Sequence, residues 1–347
     1  MKYTELGRCE HIDGSVVLMW SSSAIELNIK ASNLSVEIEA DYENLEIWVD
    51  FLIDGELSQR LMLQKGVNTY RIFRGFDASK STNVRIVRDT QFMPEDTGSC
   101  LVIRSFETDG IFLKPTEREI SLEFIGDSIT SGEGCGLTKR EEWIPAVFDA
   151  VRAFPYLTAR ELNASYSVLS QSGWGVFSSW DGDTTHVLPD YYEKICGHGC
   201  DKLSMAAGSQ EIWDFAGKPS DAIVINLGTN DANAHNSGLW EKEEFEVLFI
   251  QKAAAFLKNI REHNPGSLII WAYGMLGNEM ESCIIRAIER YRESTGDKSI
   301  FYLPLDNCTE ELLGFRMHPN PRAHKLAAKK IAAFLKEHLP YYGIKQV

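Results

Sequence analysis

The sequence predicts two domains, an all-β sandwich of the jelly-roll type over residues 1–112 and a doubly wound α/β domain with a parallel sheet over residues 118–347. Three observations support this fold class. The chain has 347 residues, which is long for one domain and suitable for two. Apolar and polar residues alternate in short runs through the first third. From about residue 120, continuous apolar runs alternate with segments of helical period.

The N-terminal domain is predicted from eight short strands that follow one another without a helical segment. The runs SVEIEA and EIWVDFLID alternate as half-buried antiparallel strands do, and turn signals such as Asp-Gly and Lys-Gly separate the runs. Many short strands in so few residues favour a sandwich. The predicted strands are residues 15–20, 24–30, 34–40, 45–53, 61–63, 69–74, 83–88 and 99–107.

The C-terminal domain is predicted from strands and helices that alternate along the chain. Its strands are almost wholly apolar, as expected when helices cover both faces of a parallel sheet. The junction between the domains is placed at residues 106–117. The predicted strands are residues 122–125, 166–170, 222–227, 268–273 and 299–303, and the predicted helices are residues 146–162, 241–263, 278–293 and 321–338.

Charge and cysteine usage restrict the partners and the compartment. The net charge is -15 and lysine and arginine do not cluster, so we expect no nucleic-acid or membrane partner, and a neutral substrate is easier to accommodate. The first residues lack a signal-peptide pattern, and no apolar run could span a bilayer. The seven cysteines are an odd number without a disulfide framework, which favours reduced thiols and a cytoplasmic location. The oligomeric state stays open.

The segment CGHGC, residues 196–200, is a possible metal motif. The spacing of Cys196, His198 and Cys200 could suit zinc, but no second pair of ligands follows at zinc-site spacing. A glycine-rich loop with free thiols is the preferred interpretation. We therefore expect no metal and no cofactor.

The segment LEFIGDSITSGEG, residues 122–134, carries the strongest functional signal. An apolar strand stops at Gly126-Asp127-Ser128, which places Ser128 between the end of a strand and the start of a helix. Backbone N–H groups are free at such a place, so a serine there can attack a carbonyl while its neighbours hold the oxyanion. The alternative is an ordinary Ser/Asp helix cap.

Three later segments also follow predicted strands or precede a helix. QSGWG, residues 171–175, contains Gly173, whose backbone could approach a ligand closely. GTND, residues 228–231, contains Asn230, whose amide could donate to an oxyanion, although an Asx turn would use the same residues. HPNP, residues 318–321, places His318 just before the last helix, with Asn320 as its cap.

In this order, the four segments resemble the SGNH (GDSL-type) hydrolase superfamily. The resemblance implies that Ser128 is the nucleophile and His318 the general base, with no cofactor. It also implies an oxyanion hole made by the Ser128 and Gly173 N–H groups and the Asn230 amide.

A jelly-roll domain before an SGNH domain is similar to carbohydrate esterase family 2. That likeness implies removal of O-acetyl groups from plant-derived xylo- or manno-oligosaccharides, the expected partners. The expected substrate-binding residues are Trp174, Trp180, Asp127 and Asp231. The alternatives for Trp174 and Trp180 are ordinary core or loop packing.

One position departs from the common superfamily pattern. Phe315 occupies the place, three residues before His318, where many members carry an aspartate. The favoured interpretation is a Ser–His dyad in which a backbone carbonyl holds Nδ1, while Asp306 or Glu310 remain alternatives. The function also has alternatives: a lipid-directed esterase or thioesterase of the same superfamily, and a non-catalytic sugar-binding protein.

Overall fold

The computed structural model describes residues 3–93, 96, 98–136 and 142–340, which fall into two compact units. The first unit comprises the described parts of Met1–Arg118, Glu142–Val151 and Glu193–Trp213. The second comprises the described parts of Glu119–Glu141, Arg152–Tyr192 and Asp214–Val347. Two segments of the second half, Glu142–Val151 and Glu193–Trp213, thus belong to the first unit, while the limits 1–112 and 118–347 stay a prediction. Neither segment has the apolar period that would reveal its packing from sequence.

The first unit consists of two antiparallel sheets. Their strand orders are β1-β4-β9-β6-β7, with β11 pairing β4, and β2-β3-β10-β5-β8. Alternate residues of β5 (Leu34, Val36, Ile38 and Ala40) are buried, and residues from both sheets form one core, so the sheets pack face to face. The strands are β1 Thr4–Leu6, β2 Cys9–Ile12, β3 Ser15–Leu18, β4 Ala24–Lys30, β5 Asn33–Asp41, β6 Trp48–Ile53, β7 Glu56–Met62, β8 Gly66–Arg74, β9 Thr82–Arg88, β10 Cys100–Thr108 and β11 Ile111–Phe112.

The second unit is built on a five-stranded parallel sheet in the order β13-β12-β14-β15-β16. The chain starts at β12, moves to β13 and returns to the other side of β12, so the direction of winding reverses there. In open α/β sheets, ligand sites lie at the carboxyl ends of the strands beside such a reversal. The strands are β12 Ser121–Gly126, β13 Ser165–Ser170, β14 Ala222–Asn226, β15 Leu268–Tyr273 and β16 Ile300–Pro304.

Helices α2 and α7 pack together, and so do α5 and α6. Every residue of β14 and β15 is buried, which explains why their sequences are apolar except for Asn226. Within the described ranges, none of the helices is both long and apolar enough to span a membrane. The helices are α1 Ser128–Ser131, α2 Phe154–Leu162, α3 Lys202–Ala206, α4 Thr229–Asn236, α5 Lys242–His263, α6 Glu281–Thr295 and α7 Pro321–His338.

Several predicted elements differ from the structure for identifiable reasons. The helix predicted at 146–162 is two 3₁₀ turns, Pro145–Val147 and Ala150–Arg152, followed by α2. Ala153 is extended just before α2, and Pro155 lies in the first turn, where a missing N–H costs nothing. The strand predicted at 61–63 is the last part of β7, whose exposed polar residues hide its period. Helix α4, TNDANAHN, has no apolar period that could predict it.

Candidate active site

Ser128 is the first residue of α1, directly after the turn that ends β12. Gly126 makes this turn possible, because an added Cβ would lie 1.8 Å from the Thr130 hydroxyl oxygen. The Asp127 carboxylate caps the helix by accepting the Ile129 N–H at 3.0 Å. Ser128 is 6% exposed, so its hydroxyl is shielded but reachable.

His318 lies within hydrogen-bond distance of Ser128. The separation between His318 Nε2 and Ser128 Oγ is 2.9 Å. The loop that carries the histidine ends at Asn320, whose side chain caps α7 by accepting the N–H groups of Arg322 and Ala323. Burial lowers the pKa of His318 to about 4, so the imidazole is neutral at neutral pH. A neutral imidazole can accept the serine proton.

A backbone carbonyl orients the imidazole. His318 Nδ1 lies 3.0 Å from the carbonyl oxygen of Arg316, and a proton on Nδ1 would leave Nε2 free to act as a base. Phe315 is buried, and Asp306, one of the alternative carboxylates, instead accepts from Lys330 Nζ at 2.9 Å. The geometry is therefore that of the predicted dyad with a carbonyl partner.

The loop before His318 holds an uncommon backbone conformation. Arg316 and Met317 have φ of 46° and 60°, in the left-handed region that residues with a Cβ rarely adopt. Two glycines permit close approach of this loop to the segment after α1. A Cβ on Gly134 would lie 2.8 Å from the His318 Cβ, and one on Gly314 would lie 2.5 Å from the Gly134 carbonyl. Strain held by tight packing is common at catalytic sites.

Glu133 is a site residue that the sequence did not reveal. Its Oε2 lies 3.5 Å from His318 Nε2, and the side chain is only 2% exposed. Ser172 donates to the same oxygen at 3.2 Å, while the other oxygen, Oε1, has no hydrogen-bond donor in the described part of the chain. Burial raises the pKa of Glu133 to about 7, with the positive charge of Arg316 opposing the rise. The sequence signal that could have indicated Glu133 was its position in GDSITSGEG, the segment that also contains Ser128.

Two of the three predicted oxyanion donors are free backbone groups. In the described ranges, the N–H groups of Ser128 and Gly173 have no hydrogen-bond acceptor. Gly173 has φ of 83°, and the Trp180 ring covers the place that a side chain would take. Asn230 Nδ2 donates to the Trp174 carbonyl at 2.9 Å and more weakly to Asp127 Oδ2 at 3.3 Å. The amide is therefore held beside the site and already partnered.

Asp127 and Asp231, both predicted to contact substrate, bind groups of the protein itself. Both side chains are fully buried. Asp127 caps α1, as the alternative interpretation of this motif holds. Asp231 accepts the N–H groups of Val176 at 2.9 Å, Phe177 at 2.9 Å and Ser178 at 3.0 Å, which fixes the loop after β13. A contact of either carboxylate with substrate stays a prediction.

The two candidate aromatic residues have different environments. Trp174 is 8% exposed, and its ring packs against Tyr191 with 4.4 Å between the centroids. The ring therefore packs within the loop, and its contact with substrate stays a prediction. Trp180 is 57% exposed, and its backbone N–H donates to the Gly173 carbonyl at 2.9 Å. A free aromatic face lies next to a proposed oxyanion donor.

The CGHGC segment belongs to the first unit and does not gather its three ligands. Among the described histidines, cysteines and acidic residues, Cys196, His198 and Cys200 do not form a metal-sized cluster. Burial raises the pKa of Cys196 to about 11, which favours a thiol over a metal-binding thiolate. The His198 ring packs edge-on against Phe92.

A serine bonded to a neutral histidine, beside two free N–H groups, defines the class of serine hydrolases that act on esters or related acyl groups. Residues 124–326 match the model of the GDSL-like Lipase/Acylhydrolase family. The chain belongs to this family.

Family 2 carbohydrate esterases are among the relatives. One of them is "An Acetyl Xylan Esterase (Est2A)" from the rumen bacterium Butyrivibrio proteoclasticus. Its sequence is 35% identical to this one, and the two structures superpose with a TM-score of 0.94 over 98% of this chain and 96% of that one.

Two further relatives are similar in sequence. "Acetylxylan esterase / glucomannan deacetylase" from Cellvibrio japonicus is 22% identical, and the match covers 94% of this chain and 86% of that protein. "Cellulase/esterase CelE" from Acetivibrio thermocellus is 26% identical over 92% of this chain, which spans only 37% of the length of that relative.

Proposed function

We propose that this protein is a serine esterase that removes O-acetyl groups from plant-derived oligosaccharides such as acetylated xylo- or manno-oligosaccharides. The observation that carries the proposal is the 2.9 Å approach of His318 Nε2 to Ser128 Oγ beside unpartnered backbone donors. The names of the relatives, acetylxylan esterase and glucomannan deacetylase, support the choice of substrate.

In the acylation step, the Ser128 oxygen attacks the acetyl carbonyl while His318 Nε2 takes the hydroxyl proton. The carbonyl oxygen becomes an oxyanion that the Ser128 and Gly173 N–H groups stabilise. The Asn230 amide would join them by exchanging its longer bond, 3.3 Å to Asp127, for the oxyanion. The imidazolium then gives its proton to the sugar oxygen as the C–O bond breaks. Water repeats the sequence to release acetate.

Glu133 is suited to stabilising the imidazolium that forms in both steps. Its carboxyl group lies beside Nε2, the atom that gains the proton, and it is shielded from water. An ionised carboxylate there attracts the positive charge more strongly in the transition state than before attack. Only the ionised form has this effect, so the contribution grows as the pH rises through about 7.

The exposed Trp180 ring is the best candidate for sugar recognition. Aromatic faces provide large apolar surfaces at low conformational cost, and this one lies next to Gly173. Contacts remote from the ester can position it for attack. Acetylated sugars should therefore be better substrates than aryl acetates.

The finer features of the fold and the cellular location are also part of the proposal. The two face-to-face antiparallel sheets of the first unit are consistent with a jelly roll accessory domain. None of the seven cysteines, all of which the structure describes, forms a disulfide bond, which supports a reducing, cytoplasmic compartment. We also propose the limits 1–112 for the accessory domain and 118–347 for the catalytic domain.

A substrate series tests the proposal. Acetylated oligosaccharides, aryl acetates and octanoyl aryl esters are compared by kcat/KM with the wild type and with Trp180→Ala. We expect the wild type to prefer the acetylated sugars, and Trp180→Ala to lose that preference while keeping its rate on aryl acetate. Ser128→Ala should be inactive, whereas Ser131→Ala, a control within the same helix, should retain most activity. Faster hydrolysis of octanoyl esters would reject the carbohydrate assignment in favour of a lipid-directed esterase.

A further inference from the structure

Three buried aspartates of the first unit lie close together. Asp50 lies on β6, Asp89 directly follows β9, and Asp149 lies in the segment Glu142–Val151. One carboxylate oxygen from each lies within 4.8 Å of the other two. Asp50 and Asp89 are 0% exposed and Asp149 is 1% exposed, so water does not screen the three charges.

One guanidinium contacts the cluster. Arg60, on β7, forms an ion pair of 2.7 Å between its Nε and Asp89 Oδ2. The other Asp89 oxygen accepts the Ala150 N–H at 2.6 Å. Three carboxylates held this close together repel one another while they are ionised. Such buried carboxylates are unfavourable unless a cation or protons neutralise them.

Asp50 is the residue that points to a missing partner. Neither of its carboxylate oxygens has a hydrogen-bond donor in the described part of the chain, although the side chain is completely buried. Buried polar atoms in native proteins nearly always have partners. An acceptor-only group that faces two other carboxylates has the surroundings of a metal ligand.

We propose that Asp50, Asp89 and Asp149 bind one divalent cation, calcium, inside the first unit. All three donors are hard oxygens, which calcium and magnesium prefer to zinc or copper. The three atoms lie within 4.8 Å of one another, close enough for one such cation to reach all of them. Magnesium usually keeps several waters and binds only one or two carboxylates, so a buried set of three carboxylates favours calcium.

The cation would connect three parts of the chain that are distant in sequence. It would join β6, the end of β9 and the segment Glu142–Val151, which has only 3₁₀ turns of its own. Arg60 supports the same connection, because its guanidinium also donates to the Phe148 carbonyl. The cation would thus stabilise the folded first unit and take no part in the chemistry at Ser128.

The main competing arrangement is a proton on Asp50. Burial and the neighbouring carboxylates raise the pKa of Asp50 to about 10, so without a cation it would be neutral at pH 7. The two arrangements differ in their response to calcium and to substitution. Asp50→Asn imitates the neutral acid closely but cannot supply a charged ligand.

The experiment measures metal content and thermal unfolding of the full-length protein. Protein dialysed against a chelator is returned to metal-free buffer, and calcium, magnesium and manganese are then titrated separately. We expect one calcium per chain by elemental analysis and a rise in Tm of about 5–10 °C at calcium 100-fold above its Kd. Asp50→Asn should abolish the rise, while Asp13→Asn, the same change at an exposed position, should keep it.

Two results would overturn the proposal. In the first, the wild type binds no calcium in equilibrium dialysis and its Tm does not shift, while Asp50→Asn is as stable as the wild type. This result would establish that Asp50 carries a proton instead. The second is a larger shift with magnesium or manganese than with calcium. Equilibrium dialysis of the wild type alone decides the question if Asp50→Asn fails to fold.

Discussion

Glu133→Gln should slow the esterase in a pH-dependent manner. The substitution removes a carboxylate 3.5 Å from His318 Nε2 while keeping the size of the side chain and an oxygen that can accept from Ser172. Two opposite charges at this distance attract by about 5 kcal/mol at an effective dielectric constant of 20. Arg316 offsets part of this attraction. A net loss of about 1.4–2.7 kcal/mol corresponds to a 10- to 100-fold fall in kcat.

The sign of the pH effect follows from the pKa of Glu133, which burial raises to about 7. The carboxylate stabilises the imidazolium only when ionised, so the difference between wild type and Glu133→Gln should be largest above pH 8. It should shrink below pH 6, where Glu133 carries a proton. KM should change little, because the interaction strengthens mainly in the transition state.

The assay is steady-state hydrolysis of an aryl acetate from pH 5 to pH 9, with Glu310→Gln as an exposed control on the chain leading to His318. A ratio of wild-type to Glu133→Gln kcat that is constant with pH would refute the electrostatic reasoning. It would indicate that the glutamate only shapes the site.

Four further predictions follow from the site and the metal proposal. Ser128→Ala and His318→Ala should each lower kcat by about 10⁴-fold or more, and the double variant should be little worse, because a dyad acts as a unit; additive losses in single-turnover assays would disprove this. In Glu133→Gln, where the glutamate no longer titrates, the acid limb of kcat/KM should lie near pH 4, since burial lowers the pKa of His318 to about 4 and only the neutral form is a base; a limb at pH 6.5 in this variant would contradict the burial argument. Asn230→Ala should reduce kcat about 10²–10³-fold, whereas a change confined to KM would make Asn230 a substrate-binding residue. Chelator treatment should lower Tm yet leave kcat at 25 °C unchanged, and activity recovered only with zinc would argue for catalytic metal.

The predictable elements of the fold were those with a regular pattern of burial along the chain. Strand β5 could be predicted because alternate residues are buried, and β14 because every residue is buried. The segments Glu142–Val151 and Glu193–Trp213 were not visible as members of the first unit. Their packing depends on isolated side chains and backbone bonds, which leave no period in the sequence.

The same distinction applies to the site. Ser128 and His318 could be predicted because their chemistry requires those residue types at element ends. The backbone partners of Asp127 and Asp231 could not be predicted, because a carboxylate that binds backbone N–H groups has the same sequence signal as one that faces a ligand. Glu133 was missed although it lies in the same segment as Ser128, because its burial beside His318 depends on contacts between residues 185 positions apart.

The Asp231 anchor has a consequence for how this enzyme could diversify. One carboxylate holds residues 176–178, and the adjacent Asn230 amide holds the Trp174 carbonyl, so the start of α4 and the loop after β13 are fastened together. The catalytic groups of the site should therefore keep their spacing when other positions of this loop are substituted. The Trp180 backbone is held as well, by the Asn233 amide and the Gly173 carbonyl, but its ring is exposed and can be substituted. Substitutions confined to residues 180–186 should therefore change which sugar is accepted without abolishing the acyl-transfer activity.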